Sequence, residues 1–314
     1  MKMKLLISGL GGSLFPYLHE ALKANFELYY LDADEQLMHL YEELNFIPSP
    51  YIKDPKYWEL VRSIIKSEGI HYYIPLIDEE IVTAKREIEG YSDVKIIAPM
   101  ADFSALCLNK YLLMSYLKEQ GISDVISYTA DTFNGQLDMP VFVKPISGRG
   151  SRGIKKINNQ QELEAYYILE GYEKSDILIQ PLLLGVEYTV GVLTNNKNAF
   201  ISISCKRIIK KKGITQIAVT ENNKMIEAVA VKIIEKLKPC GPFNIQLILT
   251  PDNEIKIFEI NPRFSTTTIM EIEAGVNPID MYIKSNNIDD TTEPQRPKPG
   301  VVLHRRWENL FYEV

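Results

Sequence analysis

The stretch FNIQLILTPDNEIKIFEINPR, residues 243–263, reads as two apolar strands joined by a turn-forming Pro-Asp-Asn cluster. Isoleucine, leucine and phenylalanine occupy most positions on both faces, which is typical of strands buried in a sheet. Gln246, Glu259 and Asn261 are oxygen-bearing side chains within this apolar pattern that fall toward one end of it. Because a buried carboxylate needs a partner, the stretch predicts a β-hairpin that also carries a polar site.

The expected register of this hairpin brings two of the three polar side chains together. If Pro251 to Glu254 form the loop, Thr250 faces Ile255. Counting back along the antiparallel strands then puts Gln246 directly across from Glu259.

Asn261 lies two residues beyond Glu259 and therefore on the same face of the strand. Magnesium suits such a group, because it prefers oxygen ligands and fills its octahedron with waters and substrate phosphates. Arg263 continues the same alternation and would point toward the same anionic contents. On the hairpin alone, a structural salt bridge from Glu259 to Arg263 or to a lysine is an equally good interpretation.

A second motif, VKPISGRGSRG at residues 143–153, favours the metal and phosphate interpretation. A Walker-type loop has its lysine after the glycines, whereas here Lys144 comes first and ends the strand-like run MPVFVK. The motif therefore combines a lysine fixed by a sheet with a glycine-rich, doubly basic loop that can open and close.

Composition limits the class of protein. The chain has 314 residues, of which 46% are hydrophobic, and this is enough for two domains or for one domain with lobes. A net charge of −6 argues against a protein devoted to binding nucleic acid. Three widely spaced cysteines fit a reducing cytoplasm. The apolar run near the N-terminus is too short for a signal peptide or a membrane span, so a soluble, cytoplasmic protein is expected.

Residues 1–98 alternate strand-like and helix-like runs, which predicts a Rossmann-like domain with a parallel sheet. Its glycine turn, residues 9–14, has leucine where the dinucleotide fingerprint requires a third glycine. A bound dinucleotide is therefore not favoured. The acidic run at residues 78–80 is expected to cap the next helix, with a role in holding a substrate amine as the alternative.

After residue 98 the pattern changes. Residues 105–120 predict one amphipathic helix with Lys110 near its start. Short strands and hairpins are expected up to about residue 220, and another helix is expected at 222–238, directly before the hairpin.

These motifs resemble the ATP-grasp superfamily, in particular its carbamoyl phosphate synthase-like and D-alanine-D-alanine ligase-like members. The resemblance spans nearly the whole chain, with the motifs in the family's order. It implies an α/β fold in which a Rossmann-like pre-ATP-grasp domain at residues 1–98 precedes a two-lobed α+β ATP-grasp domain at 99–314. The smaller lobe is expected at about 125–185, the larger at about 186–290 and a C-terminal tail at 291–314.

The resemblance also implies the nucleotide site. The family's strand lysine meets the α and β phosphates, and its glycine loop closes over the nucleotide. A hinge segment reads the adenine with backbone groups, and a glutamate takes the ribose hydroxyls. The residues implied for ATP binding are Lys110, Lys144, Ser147, Gly150, Ser151, Gln180, Pro181, Leu182, Leu183 and Glu187.

The family's metal ligands correspond to Gln246, Glu259 and Asn261, which would hold Mg²⁺ or, in its place, Mn²⁺. Gln246 follows the carbamoyl phosphate synthase-like pattern, whereas the peptide-ligase branch has aspartate there. The site then carries less negative charge, which leaves open whether two ions bind together. Arg263 and Lys144 are implied to stabilise the transferring phosphoryl group.

The implied reaction is phosphorylation of a carboxylate by ATP, followed by attack of an amine on the acylphosphate. Small-molecule carboxylate and amine substrates are the expected partners, without nucleic acid or membrane, and a homodimer is left open. The basic segment 205–213 is expected to supply Lys206 or the catalytic candidate Arg207 to the substrate, unless it is a solvated hairpin. Two other classes remain as alternatives: an ATP-binding module without turnover, and a nicotinamide-dependent oxidoreductase that uses the N-terminal glycine turn.

Overall fold

The computed structural model describes residues 2–9, 14–40, 44–88, 90–91, 93–148, 153–285, 293–306 and 311. Three sheets organise these residues into an α/β fold, and they have five, four and six strands.

The five-stranded sheet is parallel and has the order β3-β2-β1-β4-β5. Its strands are β1 (Met3–Ser8), β2 (Phe26–Asp32), β3 (Asn45–Pro48), β4 (Tyr72–Ile74) and β5 (Lys95–Ile96). The connecting helices are α1 (Phe15–Leu22), α2 (Leu37–Leu40), α3 (Lys56–Glu68) and α4 (Asp78–Ile88). Strand order and crossover helices are those of a Rossmann-like sheet, so this part of the predicted fold class is confirmed.

Two helices, α5 (Ala101–Leu108) and α6 (Lys110–Glu119), follow where the sequence predicted one. Asn109 separates them, because its backbone is extended at φ −101° and ψ 96°. Its side chain accepts a hydrogen bond from the amide of Leu112 and thus caps α6. The break makes Lys110 the first residue of a new helix.

The four-stranded antiparallel sheet has the order β6-β9-β7-β8. Its strands are β6 (Tyr128–Thr129), β7 (Val141–Pro145), β8 (Lys155–Ile157) and β9 (Ile177–Pro181). The helix α7 (Gln160–Glu170) and a short 3₁₀ turn (Lys174–Asp176) precede β9. The expectation of strands and hairpins alone was wrong here, since Asn159 caps α7 by accepting from the amide of Glu162.

The six-stranded sheet has the order β14-β13-β10-β11-β12-β15 and all its pairings are antiparallel. Its strands are β10 (Val186–Thr194), β11 (Phe200–Lys212), β12 (Ile214–Glu221), β13 (Pro242–Leu249), β14 (Ile255–Asn261) and β15 (Val302–His304). The accompanying helices are α8 (Lys224–Leu237), which was predicted, and α9 (Thr268–Glu273) and α10 (Pro278–Ser285).

The two larger sheets share a hydrophobic core. One buried cluster contains Leu5 and Ile7 of β1 together with Leu193 of β10 and Ile201 of β11. A second cluster lies between the six-stranded sheet and α5, α6 and α8. The first cluster joins the N-terminal sheet to the sheet that carries the hairpin, so groups from both can meet at one site.

Candidate active site

The hairpin β13–β14 has the predicted pairing at the polar positions. Gln246 pairs with Glu259, and Asn244 pairs with Asn261. At the tip the register differs by one residue from the prediction, because Leu249 rather than Thr250 faces Ile255. The amide of Thr250 donates to the carbonyl of Glu254 at 2.9 Å, which closes a loop one residue longer than expected.

A β-bulge reconciles the two registers. Leu247 pairs with Ile257 and Gln246 pairs with Glu259, so Phe258 is an extra residue with no Cα partner on β13. Its carbonyl accepts a hydrogen bond from Lys144 Nζ at 3.0 Å. The same Nζ lies 5.4 Å from the centroid of the Phe258 ring. The bulge thus provides the carbonyl that binds Lys144 near the end of β7.

Lys144 is almost fully buried, with 3% of its surface exposed. Burial lowers the pKa of Lys144 to about 8, against the influence of Glu259, which raises it; Lys110 and Lys211 lower it further. A buried ammonium close to other cations favours an anionic ligand, because that ligand would supply the countercharge.

Lys110 and Glu259 form an ion pair with 3.4 Å between Nζ and Oε1, and both side chains are largely buried. Lys110 Nζ also donates to the carbonyl of Gly148 at 3.0 Å. Of the two salt bridges that the sequence left open for Glu259, the structure therefore contains the one to a lysine. The pair holds the start of α6, the glycine loop and the hairpin together.

Lys211 was missed by sequence reasoning. Its Nζ lies 2.6 Å from Glu187 Oε1 and donates to Gln246 Oε1 at 3.3 Å. It therefore connects the predicted ribose-binding glutamate to a predicted metal ligand. The basic run KRIIKKK was a signal for such a residue, but it did not indicate which lysine.

The predicted residues surround one cavity of about 730 Å³. Those that line it are Lys110, Lys144, Ser147, Gln180, Pro181, Leu182, Leu183, Glu187, Gln246, Glu259, Asn261 and Arg263. Further lining residues that were not predicted include Thr189, Lys211, Thr215, Asn244, Ser265, Thr266 and Thr267. Gly150 and Ser151, which were also predicted, lie outside the described residues.

Arg207 does not line this cavity. It pairs with Tyr188 across the strands, and Lys206 pairs with Thr189, so the two basic residues point to opposite faces of the sheet. The Arg207 guanidinium forms an ion pair with Glu221 on the face away from the cavity. Lys206 lies on the cavity side, but it is fully buried in an ion pair with Glu271.

Arg263 lines the cavity and contacts the helix α4 of the N-terminal part of the fold. Its Nε forms an ion pair with Asp78 Oδ1. Asp78, Glu79 and Glu80 all lie in the first turn of α4, as capping predicts, yet each has a further contact. Glu79 lines the cavity, and Glu80 is buried and accepts hydrogen bonds from Ser8 and Tyr57.

The donor set matches magnesium better than zinc. Within the described ranges, no group of three His, Cys, Asp or Glu side chains could hold a metal. Glu259 supplies one carboxylate, while Gln246 and Asn261 can supply amide oxygens, and three lysines nearby favour phosphates as the remaining ligands. Magnesium is bound in this way, through few protein oxygens and substrate phosphates.

The glycine loop contributes a structural glycine. Gly153 has a left-handed φ of 67°, and a Cβ at this position would lie 3.0 Å from Cγ of Pro145. Alanine at this position would therefore be strained and crowded.

No helix in the described ranges is long and apolar enough to cross a membrane.

Comparison with known proteins confirms the resemblance to the ATP-grasp superfamily. A family model described as "ATP-grasp in the biosynthetic pathway with Ter operon" matches residues 173–307. The D-alanine–D-alanine ligase of Flavobacterium johnsoniae is 28% identical over 206 residues. That match covers 57% of this chain and 64% of the ligase's own length.

Solved structures confirm the fold. A carboxyaminoimidazole ribonucleotide synthase from Aspergillus clavatus, complexed with ATP, superposes with a TM-score of 0.75 at 19% identity, covering 95% of this chain and 80% of that chain. The biotin carboxylase domain of the Hydrogenobacter thermophilus 2-oxoglutarate carboxylase, in complex with MgADP and bicarbonate, gives a TM-score of 0.75 at 16% identity. It covers 94% of this chain and 72% of that chain.

Proposed function

We propose that this chain is an ATP- and magnesium-dependent carboxylate–amine ligase acting on small molecules. The observation that carries the proposal is the cavity in which Lys110, Lys144 and Lys211 approach Glu259 and Gln246. Three lysines beside the Glu187 and Glu259 carboxylates and amide oxygens are suited to a nucleoside triphosphate with its divalent cation. The names of the relatives, a D-alanine–D-alanine ligase among them, support the same class.

In this proposal the nucleotide lies along the cavity from the β9 end to the hairpin. Pro181, Leu182 and Leu183 form its apolar end and would contact the adenine. Gln180 is buried and donates to Ser127 Oγ at 2.8 Å, which fixes the strand that precedes them. Glu187 would accept from the ribose hydroxyls. Lys211, already held by Glu187, would then lie on the phosphate side.

The phosphates would meet Lys110 and Lys144, while Glu259, Gln246 and Asn261 would hold Mg²⁺, or Mn²⁺ in its place. When bound, the metal neutralises phosphate charge and raises the electrophilicity of the γ-phosphorus. Asn261 is oriented for this role by its hydrogen bond from Nδ2 to Asn244 Oδ1 at 3.3 Å, which leaves its own oxygen available.

The chemistry begins with attack of a substrate carboxylate oxygen on the γ-phosphorus. ADP leaves, and an acylphosphate remains. The substrate amine then attacks the acyl carbon, phosphate departs, and the nitrogen loses a proton. Phosphoryl transfer depends mainly on position and charge neutralisation, which Lys144 and Arg263 would supply. Arg207 is given no part, because it lies on the other face of the sheet.

The direct test has two steps. The increase in melting temperature caused by Mg·ATP is compared with the increase caused by NADH or NADPH. This comparison distinguishes a nucleoside triphosphate site from a nicotinamide site. ADP release is then measured with a matrix of small carboxylic acids and amines, and the product is identified by mass spectrometry. Stabilisation by Mg·ATP together with substrate-dependent ADP release is the expected result. Binding without ADP release under any combination or in a cell extract would favour the module without turnover, and stabilisation by NADH alone would contradict the proposal.

The pH dependence of nucleotide affinity is a specific prediction. Phosphates should raise the pKa of Lys144 from its ligand-free value of about 8, so binding above pH 8 requires proton uptake. Affinity for metal-free ADP should be about tenfold weaker at pH 9 than at pH 7. Calorimetry in EDTA, in buffers of different ionisation enthalpy, measures both affinity and proton uptake.

Lys144→Arg is the matched control, because arginine keeps its charge at these pH values. This variant should lose the fall in affinity above pH 8, whatever its affinity at pH 7. A wild-type affinity that does not change between pH 7 and 9 would show that Lys144 does not contact the phosphates.

A further inference from the structure

Asp78 and Arg263 are 185 residues apart in sequence and meet at the cavity. Asp78 is the first residue of α4, a helix that connects two strands of the Rossmann-like sheet. Arg263 follows the end of β14 by two residues. Arg263 Nε and Asp78 Oδ1 are 2.5 Å apart. The arginine side chain is 19% exposed and the aspartate side chain is 9% exposed. This ion pair therefore joins the N-terminal sheet to the hairpin.

The backbone of Arg263 is also fixed. Its amide donates to the carbonyl of Asn261 at 2.9 Å, and its carbonyl accepts from Asn244 Nδ2 at 2.9 Å. With the backbone held at these two points, Asp78 is the charged partner that directs the guanidinium, while Nη1 also donates to the carbonyl of Phe264 at 3.4 Å. A guanidinium is a planar fork with five N–H donors, so a carboxylate at Nε leaves donors on the terminal nitrogens for a second anion.

We propose that Asp78 is a positioning residue for Arg263, and that this ion pair aims the guanidinium at the phosphoryl group during transfer. The inference rests on the proposed function. A charge-assisted hydrogen bond at a fixed edge limits the rotation of the side chain. It also keeps the pair neutral overall, so Arg263 is less attracted to the bound nucleotide than a lone guanidinium would be. Its attraction should then matter most where charge develops, at the transferring group.

The test compares two ligands of the full chain. ADP with magnesium occupies the nucleotide site, and ADP with magnesium and aluminium fluoride adds an analogue of the transferring phosphoryl group. Asp78→Asn should weaken binding of the aluminium fluoride complex about tenfold, while affinity for ADP with magnesium changes less than about twofold. Asp78→Glu, which keeps the charge, should restore part of the loss. If Asp78→Asn does not fold, Asp78→Glu and the double variant below carry the test.

A double-mutant cycle isolates the coupling between the two residues. Arg263→Lys should weaken the aluminium fluoride complex as well, and adding Asp78→Asn or Asp78→Glu to it should cause little further loss. Glu87→Gln is the matched control, because Glu87 lies in the same helix as Asp78 but does not line the cavity. Its Oε2 lies 3.3 Å from Nη1 of Arg62. This control should change neither affinity.

The Arg263 Nε–H signal in a ¹⁵N NMR spectrum gives an independent readout. In the ligand-free wild type it should exchange slowly with water, and in Asp78→Asn it should exchange quickly or disappear. Additive losses in the cycle, or equal weakening of both ligands in Asp78→Asn, would overturn the positioning role. Failure of the wild type to bind ADP with magnesium would instead contradict the proposed function, so the two failures are distinguishable.

Discussion

Replacing Glu259 by glutamine is expected to lower ligase turnover by about a hundredfold or more and to remove most of the magnesium dependence of nucleotide binding. Glu259 is the single carboxylate among the three proposed ligands, and glutamine keeps its size while removing its charge. Turnover is measured by ADP release with the substrates found in the screen. Calorimetry with ATP, with and without magnesium, gives the metal-dependent part of the affinity.

The ion pair between Glu259 and Lys110 provides the competing explanation. If Glu259 only neutralises Lys110, the variant should melt earlier without magnesium and bind Mg·ATP as the wild type does. That outcome would remove the metal role from the hairpin. Glu254→Gln is the matched control, since Glu254 precedes β14 and its side chain is 62% exposed beside Lys256. Gln246→Glu should have the opposite effect to Glu259→Gln and tighten metal binding.

The second large effect is on stability. Lys206→Met should lower the free energy of unfolding by about 3–5 kcal/mol, because it leaves Glu271 buried without its partner. Both side chains are almost inaccessible, at 0% and 5% exposed. Gly191 lies directly beside the pair, and a Cβ there would clash with the Glu271 carboxylate, so the strand packs closely against the ion pair. Urea unfolding gives the change.

Two comparisons make this prediction specific. Lys210→Met, at an exposed lysine on the same strand, should change stability by less than about 0.5 kcal/mol. The double variant Lys206→Met with Glu271→Leu should recover most of the loss, because apolar replacements restore a neutral core. A double variant as unstable as the single one would show that the charge is not the cause.

The loss in Lys206→Met should also depend on pH. Burial raises the pKa of Glu271 even in the wild type, where Lys206 opposes the effect. Without Lys206 the folded-state pKa lies further above the unfolded value, so the folded state binds more protons and stability falls as pH rises through that window. The variant should therefore be closer to the wild type at pH 5 than at pH 7.

The parts of the fold that depend on hydrophobic alternation were predictable from the sequence. The parallel sheet and the helix α8 follow from strand and helix periods. The pairing of Gln246 with Glu259 was predicted from a loop one residue too short, and the unpredicted bulge at Phe258 compensates for that difference. The break at Asn109 was not predicted, since a polar N-cap within an apolar helical pattern has little effect on periodicity. The helix α7 was missed because its apolar stripe is weak and its start depends on one side chain, Asn159.

The site was predicted less completely, for a geometric reason. Strand alternation from Lys206 would put Lys211 on the face away from the cavity. The pairing of β11 with β12 is irregular between Ile208 and Lys211, so the later lysine turns to the cavity side. Irregularities of this kind depend on tertiary contacts and have no local sequence signature. The contact between Asp78 and Arg263 was equally out of reach, because it needs the packing of two sheets.

The unpaired Phe258 also allows the length of the hairpin to vary. Residues inserted into or removed from the loop at 250–254 would be absorbed before the bulge, so homologues could differ there without moving Glu259. Deletion of Phe258 itself would remove the bulge, so that the pairs Leu247–Ile257 and Gln246–Glu259 would follow one another in regular register, and it would withdraw the carbonyl that receives Lys144. For protein engineering, the tip is therefore a suitable point for grafting a reporter peptide, whereas a deletion at the bulge behind it would cost the contact with Lys144.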